Sequence, residues 1–157
     1  MEATILSSLI IREPKLADHT QWLSLWDGYN AFYGREGPTA LPPETTESTW
    51  RRFFDPEEPV HALVAEKDGQ LIGLAHLLFH RSTTSIPSTC YLQDLFTSEE
   101  ARGQGVATAL VDRVSEEARA RGAQRVYWQT HEDNLQARRL YDRIAERSGF
   151  IIYRKVL

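Results

Sequence analysis

The turn Arg-Gly-Gln-Gly at residues 102–105 is the part of the sequence whose residue types and spacing point most directly to chemistry. An apolar run precedes it, and Val106, Leu110, Val114 and Ala118 follow it at helical spacing. A helix that starts after a glycine-rich turn leaves several backbone N–H groups unpaired around one point, and its dipole adds a partial positive charge. We therefore expect the turn to bind an anionic phosphate. The alternative is a tight turn that uses glycine only for positive φ angles.

Two common phosphate-binding motifs do not account for this turn. A P-loop requires Gly-Lys-Ser/Thr at the start of the helix, and this sequence has Gly105-Val106-Ala107 there, which excludes it. A dinucleotide-binding fingerprint, G-x-G-x-x-G/A, requires a small residue where Thr108 stands. That fingerprint also belongs near the start of a βαβαβ unit, whereas this turn lies two thirds of the way along the chain. The dinucleotide interpretation is therefore weak.

The elements that must position the turn follow from the apolar patterns along the chain. Strands are predicted over 9–14, 60–66, 71–80, 89–97, 125–130 and 149–156, and helices over about 18–33, 44–54, 103–121 and 134–146. Asp18 is expected to cap the first helix, and the Asp68-Gly69 pair to close a hairpin. The order β-α-α-β-β-β-α-β-α-β predicts an α/β (α+β) fold: a mixed sheet flanked by helices, antiparallel in the middle and parallel after it.

Composition excludes several classes of protein. The chain has 157 residues, 41% hydrophobic and 25% charged, which predicts one domain over 1–157 with a single core. There is no long apolar run for a membrane span, and the start lacks the features of a signal peptide. The lone Cys90 cannot form an internal disulfide or a cysteine-based metal site, so a cytoplasmic location is expected. A net charge of −4 argues against a nucleic-acid partner.

Three stretches together resemble the GNAT superfamily of acetyl-CoA-dependent N-acetyltransferases. The run "YLQDLFTSEEARGQG" is similar to that family's strand and R-x-x-G-x-A turn, and "NLQARRLYDRIAERSGF" is similar to its late N-x-x-A-x-x-L-Y helix followed by Gly-Phe. The end of the chain, "RVYWQTHEDNLQARRLYDRIAERSGFIIYRK", further resembles the small yeast histone, polyamine and D-amino-acid acetyltransferases. The resemblance covers nearly the whole chain and implies a GNAT-like fold with acetyl-CoA as the acetyl donor.

The resemblance also implies where acetyl-CoA lies. The turn would hold the pyrophosphate through backbone amides, the end of the strand near Phe96 and Thr97 would hold the thioester carbonyl, and Asn134 would bond the pantetheine amides. For Asn134 the simpler alternative is a helix cap, and both roles are compatible. The implied acetyl-CoA positions are Leu95, Phe96, Thr97, Arg102, Gly103, Gln104, Gly105, Val106, Ala107, Thr108, Asn134, Ala137 and Arg138.

Acetyl transfer to an amine requires a neutral amine, a stabilised oxyanion and a proton for the departing thiolate. Tyr141 is the candidate general acid, because it lies two helical turns after Asn134 on one face and a phenol has a pKa near 10. The alternative is an ordinary tyrosine at the edge of the core. Asp94, an acid inside an apolar strand, is the candidate base, and a salt bridge to a neighbouring arginine is the alternative. His76, His80 and His131 show no metal-ligand spacing and are interpreted as structural or surface residues.

The acceptor is expected to be a primary amine of a small molecule, because the chain shows no added module for holding a protein. Aromatic residues near the end of the first helix, together with Gln93, are the candidate substrate contacts: Tyr29, Phe32, Tyr33 and Gln93. Diamine acetyltransferases have Glu at the position of Gln93, so a polyamine is disfavoured. The open alternatives are acetylation of protein N-termini or lysines, and a non-catalytic acyl-CoA-binding module. The resemblance also implies a homodimer, formed through the strand "FIIYRKVL".

Overall fold

The computed structural model describes residues 8–157 as a mixed α/β fold. The strands are β1 Ile10–Arg12, β2 Val60–Lys67, β3 Gln70–His80, β4 Thr89–Thr97 and β5 Val126–Tyr127. The helices are α1 His19–Phe32, α2 Pro43–Arg52, α3 Val106–Ala120 and α4 Leu135–Ile144. The predicted mixed sheet flanked by helices is confirmed. In the part of the chain that the structure describes, no helix is long and apolar enough to cross a membrane.

The five strands lie side by side in chain order, β1-β2-β3-β4-β5. The first four pair antiparallel and β5 pairs parallel with β4, as the order of elements predicts. The β2–β3 hairpin turns at Asp68 and Gly69, whose φ angles are 52° and 77°. Both angles lie in the left-handed region, which is typical of the two-residue turn that an Asp-Gly pair favours.

Two apolar clusters, one on each face of the sheet, hold the helices in place. Helix α1 contributes buried Trp22, Leu25 and Trp26, which pack with Trp50 of α2. Helix α3 covers the other face with the stripe Val106, Leu110, Val111, Val114 and Ala118. The sheet is thus fixed between helices on both faces, and β4 lies between α1 and α3.

The last predicted strand does not form. Residues 145–157 contain no helix or strand, and Phe150, Ile151, Ile152 and Tyr153 are 71–89% exposed. The alternation of apolar residues favours a strand, but a strand requires a partner edge, and this segment pairs with none of residues 8–157. We call residues 149–157 the apolar tail.

Two further expectations differ from the structure. Helix α3 begins at Val106 rather than at 103, because Gly103 and Gly105 adopt φ angles of 76° and 80°, which a right-handed helix excludes. Asp18 precedes α1 at the capping position, but its side chain makes no cap bond to the helix. Instead its carboxylate accepts hydrogen bonds from Arg12 Nη1 at 2.7 Å and from the backbone N–H of Lys15. Asp18 therefore joins β1 to the start of α1.

Candidate active site

The sheet splits between β4 and β5. These strands pair only at Cys90–Val126 and Tyr91–Tyr127, whereas β4 continues to Thr97 along β3. The N–H of Ser98 donates to the Ile72 carbonyl at 2.8 Å. Because successive residues of a strand direct their N–H and C=O groups to opposite sides, this bond shows which residues at the end of β4 face β3. Counting back from Ser98, Leu95 and Thr97 turn their N–H and C=O groups away from β3. The split therefore exposes hydrogen-bonding backbone along one side of β4.

The glycine-rich turn lies at the end of this open edge. Gly105 is the residue before α3, and the first α3 bond runs from the Ala109 N–H to its carbonyl at 3.0 Å. The N–H groups of Val106, Ala107 and Thr108 consequently have no partner within the helix. The first turn of α3, which is described in full, carries no acidic side chain and no side-chain cap. This arrangement fits a phosphate group at the helix start.

Basic and amide side chains surround the turn. Arg102 is exposed, and its Nε donates to the Thr97 carbonyl at 3.4 Å. Lys67, at the hairpin, reaches Gln104 Oε1 at 3.2 Å. Two cations thus lie beside the turn, where they add to the attraction that α3 exerts on an anion.

The split opens into a narrow cleft that joins residues from four parts of the chain. Its lining residues are Tyr29, Tyr33, Leu92, Gln93, Leu95, Trp128, Gln129, Thr130 and Tyr141. Five of the residues that the sequence singled out therefore meet here: Tyr29, Tyr33, Gln93, Leu95 and Tyr141. Phe32 does not line the cleft; the residue is 58% exposed, and its ring packs edge-on against Tyr33.

Tyr141 is held at the cleft by an aromatic contact. Its ring packs edge-on against Trp128, with the ring centroids 5.4 Å apart. Burial, together with the nearby Tyr33, raises the pKa of Tyr141 to about 12. The phenol therefore keeps its proton throughout the neutral range and remains available as a donor.

The start of α4 is built around Asn134. Its Oδ1 accepts from the Ala137 N–H at 3.4 Å, and its Nδ2 donates to Thr130 Oγ1 at 3.3 Å. Arg138 donates from Nη1 to the Glu132 carbonyl in the preceding loop. The helix-cap role of Asn134 is thus present in the structure, and it fixes Thr130, a cleft residue, relative to α4.

Asp94 is buried in a chain of polar groups that crosses from β4 to α1. Its Oδ2 lies 2.9 Å from His76 Nδ1, and His76 Nε2 accepts from the Trp22 indole N–H at 3.1 Å. Asp94 and His76 are 8% and 2% exposed. An indole can only donate, so in the neutral imidazole Nε2 is the acceptor and Nδ1 carries the proton given to Asp94. The partner of Asp94 is thus a histidine, not the arginine considered as the alternative.

The Asp94 carboxylate also acts on the aromatic wall of the cleft. Burial and the charge of Asp94 raise the pKa of Tyr29, whose ring lines the cleft. Phe96 faces the same side: its ring lies edge-on to Tyr29, with centroids 6.2 Å apart. No local sequence pattern predicts the His76 contact, because this contact depends on the pairing of His76 with Asp94 across β3 and β4.

The split sheet, the glycine-rich turn and the cleft between them suit an acyl-CoA-dependent transferase. A family model, the acetyltransferase (GNAT) family, matches residues 22–145, and the chain belongs to that family. The "D-amino-acid N-acetyltransferase HPA3" of Saccharomyces cerevisiae is 30% identical over 156 residues, which cover 98% of this chain and 94% of that protein. N-alpha-acetyltransferase 30 of Schizosaccharomyces pombe is 32% identical over 107 residues, 67% of each chain.

Solved structures show the same fold. One is the aminoglycoside acetyltransferase AAC(6′)-Iy with a bisubstrate analogue that contains CoA: its TM-score is 0.80, at 18% identity over 96% of this chain and all of that one. Another is a ribosomal-protein-alanine N-acetyltransferase from Brucella melitensis biovar Abortus 2308, with a TM-score of 0.77 and 19% identity over 96% of this chain and 99% of that chain. The chain is thus a GNAT N-acetyltransferase, and acetyl-CoA is the acetyl donor of its family.

Proposed function

We propose that this chain transfers an acetyl group from acetyl-CoA to a primary amine of a small molecule. The observation that carries the proposal is the single continuous path from the turn at 102–105, along the open edge of β4, to the cleft that holds Tyr29 and Tyr141. When bound, acetyl-CoA supplies the acetyl group as a reactive thioester.

The residues along this path would hold the donor. The unpaired N–H groups of Val106, Ala107 and Thr108 suit the phosphates, with Arg102 beside them. The backbone groups of Leu95 and Thr97 that turn away from β3 suit the amides and carbonyl of an extended ligand. We propose Gly103, Gln104, Ala137 and Arg138 as further contacts because they flank the two ends of this edge.

Two residues would carry the protons. Asp94 would hold the acceptor nitrogen and accept its proton at a carboxylate oxygen, while the hydrogen bond from His76 keeps the carboxylate in place. Tyr141 would donate its hydroxyl proton to the sulfur that leaves. The two groups differ in their surroundings, since Asp94 has a hydrogen-bond donor at its carboxylate and Tyr141 lies against an aromatic ring.

The narrowness of the cleft supports a small acceptor. The rings of four lining residues and the polar side chain of Gln93 surround it, which suits a compact amine. The relative from Saccharomyces cerevisiae is named for D-amino acids, which are small amines. The relative from Schizosaccharomyces pombe is named an N-alpha-acetyltransferase, so protein N-termini form the second candidate class of acceptor.

Two measurements test the proposal. Calorimetric titration should detect acetyl-CoA binding, and thiol release should rise on a panel of small amines. A peptide panel with free N-termini, assayed alongside, decides between the two acceptor classes. Binding without thiol release on either panel would instead indicate a non-catalytic acyl-CoA-binding module.

We also propose that the chain is one domain over 1–157 and acts as a homodimer through the apolar tail. The exposed row of large apolar side chains in residues 150–153 supports this, because such a patch marks an interaction surface. A cytoplasmic location stays a prediction that rests on the lone cysteine.

A further inference from the structure

Arg35 is fixed beside the cleft by buried groups. Its Nε donates to Asn30 Oδ1 at 2.7 Å, and its backbone N–H donates to the Asn30 carbonyl at 2.8 Å. Asn30 is 4% exposed and donates its own Nδ2 to the Trp26 carbonyl at 2.9 Å. The guanidinium is therefore held in its orientation by the buried side chain of Asn30, which is itself fixed by a hydrogen bond.

The same guanidinium lies over two rings of the cleft wall. Its central carbon is 5.8 Å from the centroid of Tyr29 and 5.5 Å from that of Tyr33. Both rings line the cleft. Contacts of this kind hold an arginine side chain in one position. The side chain therefore loses less conformational freedom when it binds a ligand.

The outer nitrogens of Arg35 have no partner among residues 8–157. The bond to Asn30 uses Nε, and no hydrogen bond or ion pair within that range engages Nη1 or Nη2. A guanidinium presents these donors as a fork that matches the two oxygens of a carboxylate. The free part of Arg35 is thus the part that binds an anion best.

Opposite charges act on the same stretch of the cleft wall. Burial and the Asp94 carboxylate raise the pKa of Tyr33, whereas Arg35 lowers it. Tyr29 is affected in the same two directions by the same two charges. The same two rings are therefore influenced by the buried Asp94 carboxylate and by the Arg35 guanidinium that lies over them.

We propose that Arg35 binds a carboxylate on the acceptor, so that the acceptor class is amino acids, with the amine toward Asp94 and the carboxylate toward Arg35. This inference rests on the proposed acetyltransferase function and deepens it. An acceptor with both groups matches the two charges of the wall, whereas a simple amine leaves Arg35 unused.

The test compares acceptors that differ only in the carboxylate. Each enantiomer of phenylalanine is compared with phenethylamine and phenylalaninamide, and leucine is compared with isopentylamine. The value of kcat/KM is calculated from the concentration of the unprotonated amine. We expect at least one enantiomer of each amino acid to exceed its decarboxylated partner. Arg35→Gln should lower kcat/KM for the amino acids by about 10–100-fold, as expected for losing hydrogen bonds between two charged groups. It should change kcat/KM for the amines and the amide by less than about twofold.

Controls separate this role from a structural one. Arg51→Gln changes an arginine that is 70% exposed on α2 and should leave every acceptor unchanged. If Arg35→Gln fails to fold, Arg35→Lys keeps the charge without the fork and should give an intermediate loss for amino acids only. An equal loss for amines and amino acids, or amines preferred by the unaltered protein, would overturn the inference and leave the acetyltransferase proposal intact. Thiol release with none of these acceptors would count against both.

Discussion

Tyr141 and Asp94 are two ionisable side chains near one cleft whose surroundings differ. Tyr141 lies against Trp128, and burial raises its pKa to about 12. Asp94 accepts a hydrogen bond from His76, which holds the carboxylate in place. Because one group holds its proton and the other is placed to accept one, the pair suits a reaction in which a nitrogen loses a proton and a sulfur gains one.

Removal of the Tyr141 hydroxyl should reduce turnover without affecting binding. Tyr141→Phe keeps the ring contact with Trp128 and deletes only the proton donor. We expect kcat to fall roughly 10²–10⁴-fold, the range for a lost general acid, while calorimetry gives an unchanged affinity for acetyl-CoA. Tyr127→Phe, which removes a hydroxyl bonded to His80 on the surface, is the matched control and should leave kcat unchanged.

The raised pKa of Tyr141 adds a pH dependence to this prediction. Because the hydroxyl stays protonated up to about pH 11, the kcat of the unaltered protein should show no falling limb from Tyr141 between pH 6 and 10. Near-full turnover in Tyr141→Phe while chemistry limits the rate would instead make Tyr141 a packing residue.

The ion pair between Asp18 and Arg12 makes a contribution to stability that can be measured. The hydrogen bond from Arg12 is the main cause that lowers the pKa of Asp18 below that of an unfolded Asp, about 3.9. A depressed pKa contributes stability that is complete above the unfolded pKa and is lost as the pH falls through the folded pKa. Asp18→Asn should thus lower the free energy of unfolding by about 1–3 kcal/mol at pH 7, and by progressively less below about pH 4.

Denaturant titrations of both proteins from pH 2 to 7 measure this difference. Glu58→Gln, which breaks a more exposed pair with Arg52 at 3.9 Å, is the control and should cost less than about 1 kcal/mol at any pH. A difference between the unaltered protein and Asp18→Asn that does not change with pH would contradict the assigned pair.

At the scale of elements, the two glycines on either side of α3 can distinguish two effects of a substitution. One is the cost of backbone strain, and the other is the loss of close approach by a ligand. Gly105 and Gly122 precede and follow α3 with φ angles of 80° and 81°, and a Cβ at either meets no atom within 4 Å. Alanine at either position should therefore cost the same stability, about 1–2 kcal/mol for a left-handed residue. Only Gly105→Ala should weaken acetyl-CoA binding, by about 10-fold or more, because only Gly105 of the two lies in the turn that we propose to bind the phosphates.

Thermal unfolding and calorimetric titration of both variants make the comparison. Equal affinities for acetyl-CoA in Gly105→Ala and Gly122→Ala would show that the turn uses glycine only for its positive φ angle. Such a result would remove the main support for the proposed phosphate contacts.

The elements that the sequence predicts well are those whose signals are local. The Asp68-Gly69 hairpin and the stripe of α3 depend on residues within a few positions of one another. The pairing of Asp94 with His76 depends on the register between β3 and β4, including an irregularity after His76, which no local pattern encodes. The predicted strand over 149–156 did not form for a similar reason, because a strand requires a partner edge and this segment pairs with none of residues 8–157.

At the scale of the whole molecule, the structure combines an exposed apolar tail with an open sheet edge among residues 8–157. Strand β5 is the last strand of the sheet and pairs only with β4 among the described residues. Phe150 and Tyr153 are 88% and 89% exposed, although burying a side chain of that size contributes about 1.5–3 kcal/mol. A second copy that covers the tail would bury these side chains on both chains at once, which is the physical basis of the proposed homodimer.

The tail should therefore determine the oligomeric state. Light scattering of the unaltered protein should give about twice the 18.0 kDa mass of one chain, since two tails are buried in each pair. Ile152→Ser, combined with Phe150→Ser, should shift the particle to a single chain, because both exposed apolar side chains are removed. Ile86→Ser, which changes an isoleucine that is 94% exposed in the connector before β4, is the matched control and should leave the mass unchanged. A single-chain mass for the unaltered protein at assay concentrations would exclude the homodimer, and a mass unaffected by the tail substitutions would place the contact elsewhere on the molecule.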